Sequence, residues 1–505
     1  MGIENMYNGR IVVVDLETGQ CEEEALEEEL IQDRLGGPGI NMVLFNRYAD
    51  RDPIIVGTGL LTGTFCPSSC LGVITAKSPL NGSVCHAPLT WQTGIELKLT
   101  GFDFLVILGK SEKPVRLWFH DELADLEDSS EVWGRDTWET TDYLRKEHGD
   151  DFVQALVIGP AGENQVKLAQ VSENYWGSKE KVGFGSLFGQ KNLKAIALRG
   201  LGALEVADGF FEACNQLTSK IKQGIIMGKA GVKDILLSLE IDEGIQDTLA
   251  SLTHRNASCF NCSYPCNTFL KYREAPTVLQ SEGAEEEPGT LISDPAGFIA
   301  FSQLCGHDSP KALERAYRLG LEPTSSAMLI GQTGKTEIDQ ILKELEGLAI
   351  TSSTLEEADL PNFYGLSPWP FESSPERSLV QAFGIFSNSI PPGPVIAHFE
   401  DFGVGESPVD RAQWWIRRQG LAYILGICPL FAIMAPELTQ EKLIELVKLS
   451  SGWEDFDQTR LQNTITQMIK ETIEAGEKLG QVSESLKTEK FDSQLKELQE
   501  KLVKV

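Results

Sequence analysis

Cys259-Phe260-Asn261-Cys262-Ser263-Tyr264-Pro265-Cys266 constrains this chain more than any other stretch. Three thiols at Cys-x2-Cys-x3-Cys spacing can converge on one metal or cluster, one ligand short of what iron–sulfur clusters and closed zinc sites take. The candidate for the missing ligand is Cys428, far downstream in Leu425-Gly426-Ile427-Cys428-Pro429. That pairing obliges the second half of the chain to fold back onto the first. Spacing alone leaves three readings open: an iron–sulfur cluster, a Cys3His zinc site using His254, and unliganded buried thiols.

The 505 residues allow two to four domains, at ~100–200 residues each. With 41% hydrophobic residues, large cores are possible. The formal net charge of -30 argues against a nucleic-acid partner and against docking to an anionic membrane, since both need clustered Lys and Arg. No apolar run reaches the ~18 residues of a membrane span. Met1–Arg10 lacks the apolar core of a signal peptide, so the chain reads as cytoplasmic. Ten cysteines in such a chain are not expected to form a disulfide framework.

Short β-type runs dominate up to about residue 200: Ile11–Leu16, Pro53–Gly57, Leu71–Ala76, Phe104–Gly109, Val115–His120, Ala155–Gly159, Val166–Val171 and Lys194–Arg199. Helical spacing takes over at Gly209–Gly224 and Gly231–Leu239. His254–Ser258 reads as a loop before the cysteines, and Ser281–Gly289 as a solvated acidic loop. Residues Pro295 to Leu345 read as two or three helices, and Pro361–Pro394 as irregular. Ala412–Met434, Thr439–Leu449, Asp457–Ala475 and Phe491–Val503 are helical, the last a surface or oligomer contact. The expectation is an α+β fold with a β-rich domain over 1–203 and two mostly helical domains over 204–345 and 346–505.

Several segments in order resemble the tungsten-dependent aldehyde ferredoxin oxidoreductases. They include Gly9–Gly19, Lys77-Ser78-Pro79-Leu80-Asn81-Gly82, Ile158–Asn164 and Lys191-Asn192-Leu193-Lys194-Ala195-Ile196-Ala197. The cysteine motif, the remote Gly426-Ile427-Cys428 and Gly452-Trp453 complete the series. The resemblance implies a [4Fe–4S] cluster on Cys259, Cys262, Cys266 and Cys428 and a tungsten-bis-pterin seated on the β-rich domain. It implies oxidation of an aldehyde or related oxo substrate at tungsten. Electrons would then leave singly through the cluster to ferredoxin or another electron-transfer protein. The alternative is a pterin-deficient member acting as an iron–sulfur electron-transfer or interaction subunit.

The sequence departs from the family where the pterins are expected. Two Asp-x-x-Gly-Leu-(Asp/Cys) motifs become Tyr317–Glu322 and Tyr423–Cys428, each with tyrosine at the leading aspartate. A phenol accepts hydrogen bonds less well than a carboxylate. An arginine near pterin and cluster becomes Leu71, and an Asn-Ser-Gly-Gly run beside the cofactor phosphates becomes Pro88-Leu89-Thr90-Trp91. The loop Arg-Gly-Gly-Val-Gly becomes Lys181-Val182-Gly183-Phe184-Gly185, keeping a cation and two glycines. Cofactor contacts are thereby expected at Lys181, Gly183, Gly185, Tyr317, Glu322 and Tyr423. The family's glutamate near tungsten falls around Ala296, with Asp294 the nearest acid, and His398 is the histidine in range for proton transfer.

Overall fold

The computed structural model describes residues 6–80, 82–202, 204, 207, 209–224, 227–238, 241–272, 289–350, 375–387, 399–476 and 488–504. Six strands, β1 (Arg10–Asp15), β2 (Gln20–Ala25), β3 (Ile54–Thr58), β4 (Gly72–Lys77), β5 (Val84–Leu89) and β6 (Phe104–Leu108), form one sheet in the order β2-β1-β6-β3-β4-β5. Five more, β7 (Val115–His120), β8 (Leu123–Asp128), β9 (Gln154–Val157), β10 (Ser172–Glu173) and β11 (Leu193–Arg199), form a second in the order β10-β9-β11-β7-β8.

The inner strands of the first sheet are apolar on both faces, and the strand period of two sorts their side chains. Val12, Val14, Ile54, Val56, Leu105 and Ile107 meet Leu117, Phe119 and Ile196 of the second sheet in one core. Ile11, Val13, Ile55, Phe104 and Val106 point the other way, into a core shared with the C-terminal helices and the cysteines. The apolar runs of the sequence follow from this double burial. Pro88 sits in β5 at the sheet edge, where its missing N–H removes no ladder bond to a further strand.

A third sheet, β12 (Thr253–Ala257), β13 (Asn267–Lys271) and β14 (Gly289–Ile292), brackets the cysteine loop. The expected loop at His254–Ser258 is therefore largely strand, because β13 offers a partner in register, with Arg255 opposite Phe269. Val166–Val171, expected as a strand, is a loop. Its polar groups are taken up by the turn after helix Ser309–Leu319: Gln170 N–H donates to Gly320 O at 2.8 Å and Glu322 N–H to Leu168 O at 2.9 Å. The Pro361–Pro394 segment contains the helix Pro375–Phe383; residues 361–374 and 388–394, like 281–288, lie outside the described residues. Helix Glu489–Val503 turns Phe491, Leu498 and Leu502 inward, and Lys501 Nζ pairs with Asp410 at 2.7 Å.

Chain reversal joins the two halves by backbone. Leu60 and Leu61 N–H donate to the carbonyls of Ile424 and Leu425 at 3.1 and 2.9 Å, and Leu71 N–H donates to Gly426 O at 3.0 Å. Gly59 and Gly426 permit that approach: a Cβ on Gly59 would lie 2.1 Å from Gly426 N. Arg34 adds a bidentate pair with Glu471 at 2.8 and 2.9 Å, and His86 Nε2 meets Thr472 Oγ at 2.9 Å.

Candidate metal centre

The cysteine loop is shaped by local hydrogen bonds. Cys262 N–H donates to Cys259 O at 3.2 Å, and Cys266 N–H to Tyr264 O at 2.9 Å. Asn261, at φ 50°, supplies the left-handed turn residue that asparagine tolerates. Its Nδ2 reaches Phe65 O at 2.8 Å and Cys66 O at 3.0 Å. Ser68 then links the two cysteine segments. Its N–H donates to Asn261 O at 2.9 Å, and its carbonyl accepts from Cys428 N–H at 3.0 Å. Cys428 stands at the start of helix Pro429–Met434, where the N–H groups of Phe431 and Leu430 point at its sulfur. Cys259, Cys266 and Cys428 are buried and Cys262 is half-buried.

All four thiols lie near enough to bias one another's ionisation, and Cys70 joins them. The S–H of Cys70 donates to Cys259. That bond opposes the cost of burial and, with the Lys179 ammonium and the Trp91 N–H, brings Cys259 down to about 6. Burial and the other thiols push Cys262 far up, burial pushes Cys266 up to about 12, and burial raises Cys428. Lys179 is partly buried, which opposes its charge. The surrounding Cys266, Cys428, Cys259 and Cys70 nevertheless hold it protonated, above the usual lysine range.

Among the described residues no three His, Cys, Asp or Glu side chains form a site for a single metal ion. His254 lies on the exposed strand β12, its ring edge-on to Phe269 and its Nδ1 3.5 Å from Arg255. The donor set fits an iron–sulfur cluster: four thiols from two segments, hydrogen-bond donors aimed at sulfur, and the Lys179 ammonium beside them. Thiols that coordinate iron ionise outright, so their raised values reverse on binding.

The positions expected to contact a pterin are elsewhere engaged. Tyr317 is fully buried, its hydroxyl 3.1 Å from Ser293 Oγ, and its ring lies 2.4 Å from where a Cβ on Gly177 would sit. Tyr423 is fully buried against Phe386, ring centroids 4.8 Å apart, with its hydroxyl 3.5 Å from Ser387 O. Lys181 Nζ binds Asp294 at 2.6 Å, Thr324 Oγ at 3.0 Å and Glu322 at 3.1 Å. Glu322 also accepts from Thr324 and Ser325 N–H, which holds it ionised against burial, beside Lys181. Gly183, at φ 81°, precedes helix Phe184–Gln190, and Gly185 lets that helix touch Gln170 O. Leu71 is buried in the core, Ala296 is buried in helix Pro295–Cys305, and His398 lies outside the described residues.

A two-sheet domain closed by helices that carry cluster-type cysteines defines the class. Residues 11–200 match the aldehyde ferredoxin oxidoreductase N-terminal domain. The tungsten-containing aldehyde ferredoxin oxidoreductase of Pyrococcus abyssi is 34% identical over 314 residues, 56% of this chain and 51% of that protein. The WOR-like subunit of an aliphatic sulfonate oxidoreductase from Pyrococcus furiosus is 30% identical over 40% of this chain and 36% of its own length. The chain thus spans about half the length of the first curated relative it matches. A chain of the active-site complex BamBC of benzoyl coenzyme A reductase, with 1,5-dienoyl-CoA, superposes with a TM-score of 0.78 at 18% identity. It covers 99% of this chain and 94% of that one, a likeness of fold.

Among the described residues, the cavity beside the cysteines is too small for a tungstopterin. The cavity that Cys266, Cys428 and Lys179 share with Pro88, Thr90, Ser293 and Ser387 is about 20 Å³. That is room for roughly one water, where ligand sites run to ~300–1,000 Å³.

Proposed function

We propose that this chain is a redox protein of the aldehyde ferredoxin oxidoreductase family, working through a [4Fe–4S] cluster on Cys259, Cys262, Cys266 and Cys428. One observation carries the reading: Ser68 holds the Cys259–Cys266 loop and Cys428 together by hydrogen bonds to both segments. When bound, the cluster supplies single-electron transfer. The protein keeps three of the ligand sulfurs buried and leaves Cys262 half-buried. Donors from Trp91, Leu430 and Phe431, with the charge of Lys179, favour electron-rich sulfur. Ferredoxin or another electron-transfer protein is the partner this chemistry requires.

The names of the relatives support a wider oxidoreductase reading. In it an aldehyde or related oxo substrate is oxidised at a tungstopterin and the cluster carries the electrons away. A second reading, a pterin-deficient electron-transfer or interaction subunit, is favoured by one observation: Tyr317 and Tyr423 are buried where the pterin contacts are expected.

Cys428→Ser tests the cluster. In anaerobically prepared protein it is expected to remove iron, labile sulfide and brown absorption as completely as Cys262→Ser. Iron retained at about four per chain in Cys428→Ser would reject Cys428 as a ligand.

A further inference from the structure

The β-rich region contains two groups of anion-type donors, and a third group lies on a helical segment packed beside them. Each group is already occupied by a carboxylate of the chain itself. At the loop before helix Phe184–Gln190, Glu180 accepts from the N–H groups of Val182 at 2.5 Å, Phe184 at 3.2 Å and Val171 at 3.2 Å. At the Pro88–Trp91 run, Glu173 accepts from Thr90 N–H at 2.9 Å, Thr90 Oγ at 3.1 Å and Thr93 Oγ at 2.8 Å. At the turn after Leu321, Glu322 takes Thr324 N–H at 3.0 Å, Ser325 N–H at 2.6 Å and the Lys181 ammonium at 3.1 Å. Exposure of the three glutamates is only 1%, 1% and 2%.

These are the segments at which the resemblance places cofactor phosphate and pterin contacts. Backbone N–H groups and a cation are what a phosphate needs. Here each donor already has a partner, and a phosphate would have to displace a buried carboxyl to reach it. Tyr317 and Tyr423 are fully buried, and the cavity by Cys266 and Cys428 is about 20 Å³.

We infer that Glu173 and Glu180 replace the anions of a metal-pterin as the organisers of the Pro88–Trp91 and Lys181–Gly185 loops, so that the chain folds without that cofactor and does not take it up. This deepens the pterin-deficient reading above. It has a structural logic: a loop of converging N–H groups is unstable unless an acceptor is supplied, and a glutamate in the sequence supplies a carboxyl oxygen permanently.

The test uses the full wild-type chain, made anaerobically in a host that assembles metal-pterins, with tungstate and molybdate supplied. The Pyrococcus abyssi relative, produced in the same cells, shows that loading works. Iron and sulfide, tungsten and molybdenum, and pterin released by oxidation are measured on both. The expected result is complete absence of tungsten, molybdenum and pterin from this chain while the relative carries them. A metal-pterin on this chain in amounts comparable to the relative overturns the inference, whatever the iron content. Absence of iron with absence of pterin overturns the cluster reading and leaves the inference standing.

Discussion

Glu180 shows how one residue can carry a loop and a pH response together. Burial raises its carboxyl to about 7, although the N–H groups of Val182, Phe184 and Val171 favour the ion. In the unfolded chain the same carboxyl titrates near ~4.3. The folded protein therefore holds the extra proton between those values. Stability from this group is fully present below pH ~4.3 and is lost as pH rises through about 7. Glu180→Gln keeps an oxygen for Val182 and Phe184 but cannot titrate. Melting temperature followed from pH 4 to 8 is expected to fall less steeply in the variant, by an amount corresponding to on the order of 1–3 kcal/mol. Equal slopes for the two proteins would mean that other groups set the response. Glu173, also raised to about 7 by burial, is the first of those to examine.

At the scale of elements, the seam between Gly59–Leu61 and Ile424–Gly426 is where substitution is least tolerated. Gly59→Ala places a methyl 2.1 Å from Gly426 N, and the obstacle is backbone rather than a movable side chain. Overpacking of this kind costs ~1–3 kcal/mol. Because Gly426 is two residues from Cys428, iron per chain is expected to fall along with the melting temperature. Gly405→Ala, which meets nothing within 4 Å, serves as the control. A Gly59→Ala protein with unchanged iron would separate the seam from the metal centre. How far elements were legible in the sequence depended on where they lie. Strands β1, β3 and β6 announced themselves because both faces are apolar. Edge strands β2 and β8 are largely acidic and exposed and gave no alternation to read. The group Cys259, Cys262 and Cys266 stood out by spacing. Cys70, Lys179 and Thr90 did not, because only tertiary approach brings them to the sulfurs. Glu173 and Glu180 were also hidden, since a charged residue in a sequence is expected at the surface.

For the whole molecule, the cysteine centre is the point where both ends of the chain are tied to the middle. Ser68 belongs to the first sheet's loop, Asn261 to the loop between β12 and β13, and Cys428 to the C-terminal helices, and their backbones form one chain of hydrogen bonds. A cluster held by thiolates from the last two would stabilise the folded state alone, since an unfolded chain does not gather its four ligands. Removing iron is then expected to weaken this junction selectively. Hydrogen exchange on iron-loaded and iron-stripped protein should accelerate most at the amides of Ser68, Leu71 and Cys428. Val14 and Ile107, buried between the two sheets, should change least, because their core contains none of the four ligands. Loss of the cluster should lower overall stability by several kcal/mol while leaving the β-rich region folded. Acceleration spread evenly over both regions would instead mean that the chain unfolds as one unit and that the centre is not its hinge. An unchanged pattern would mean that the Ser68 hydrogen bonds hold the junction without iron.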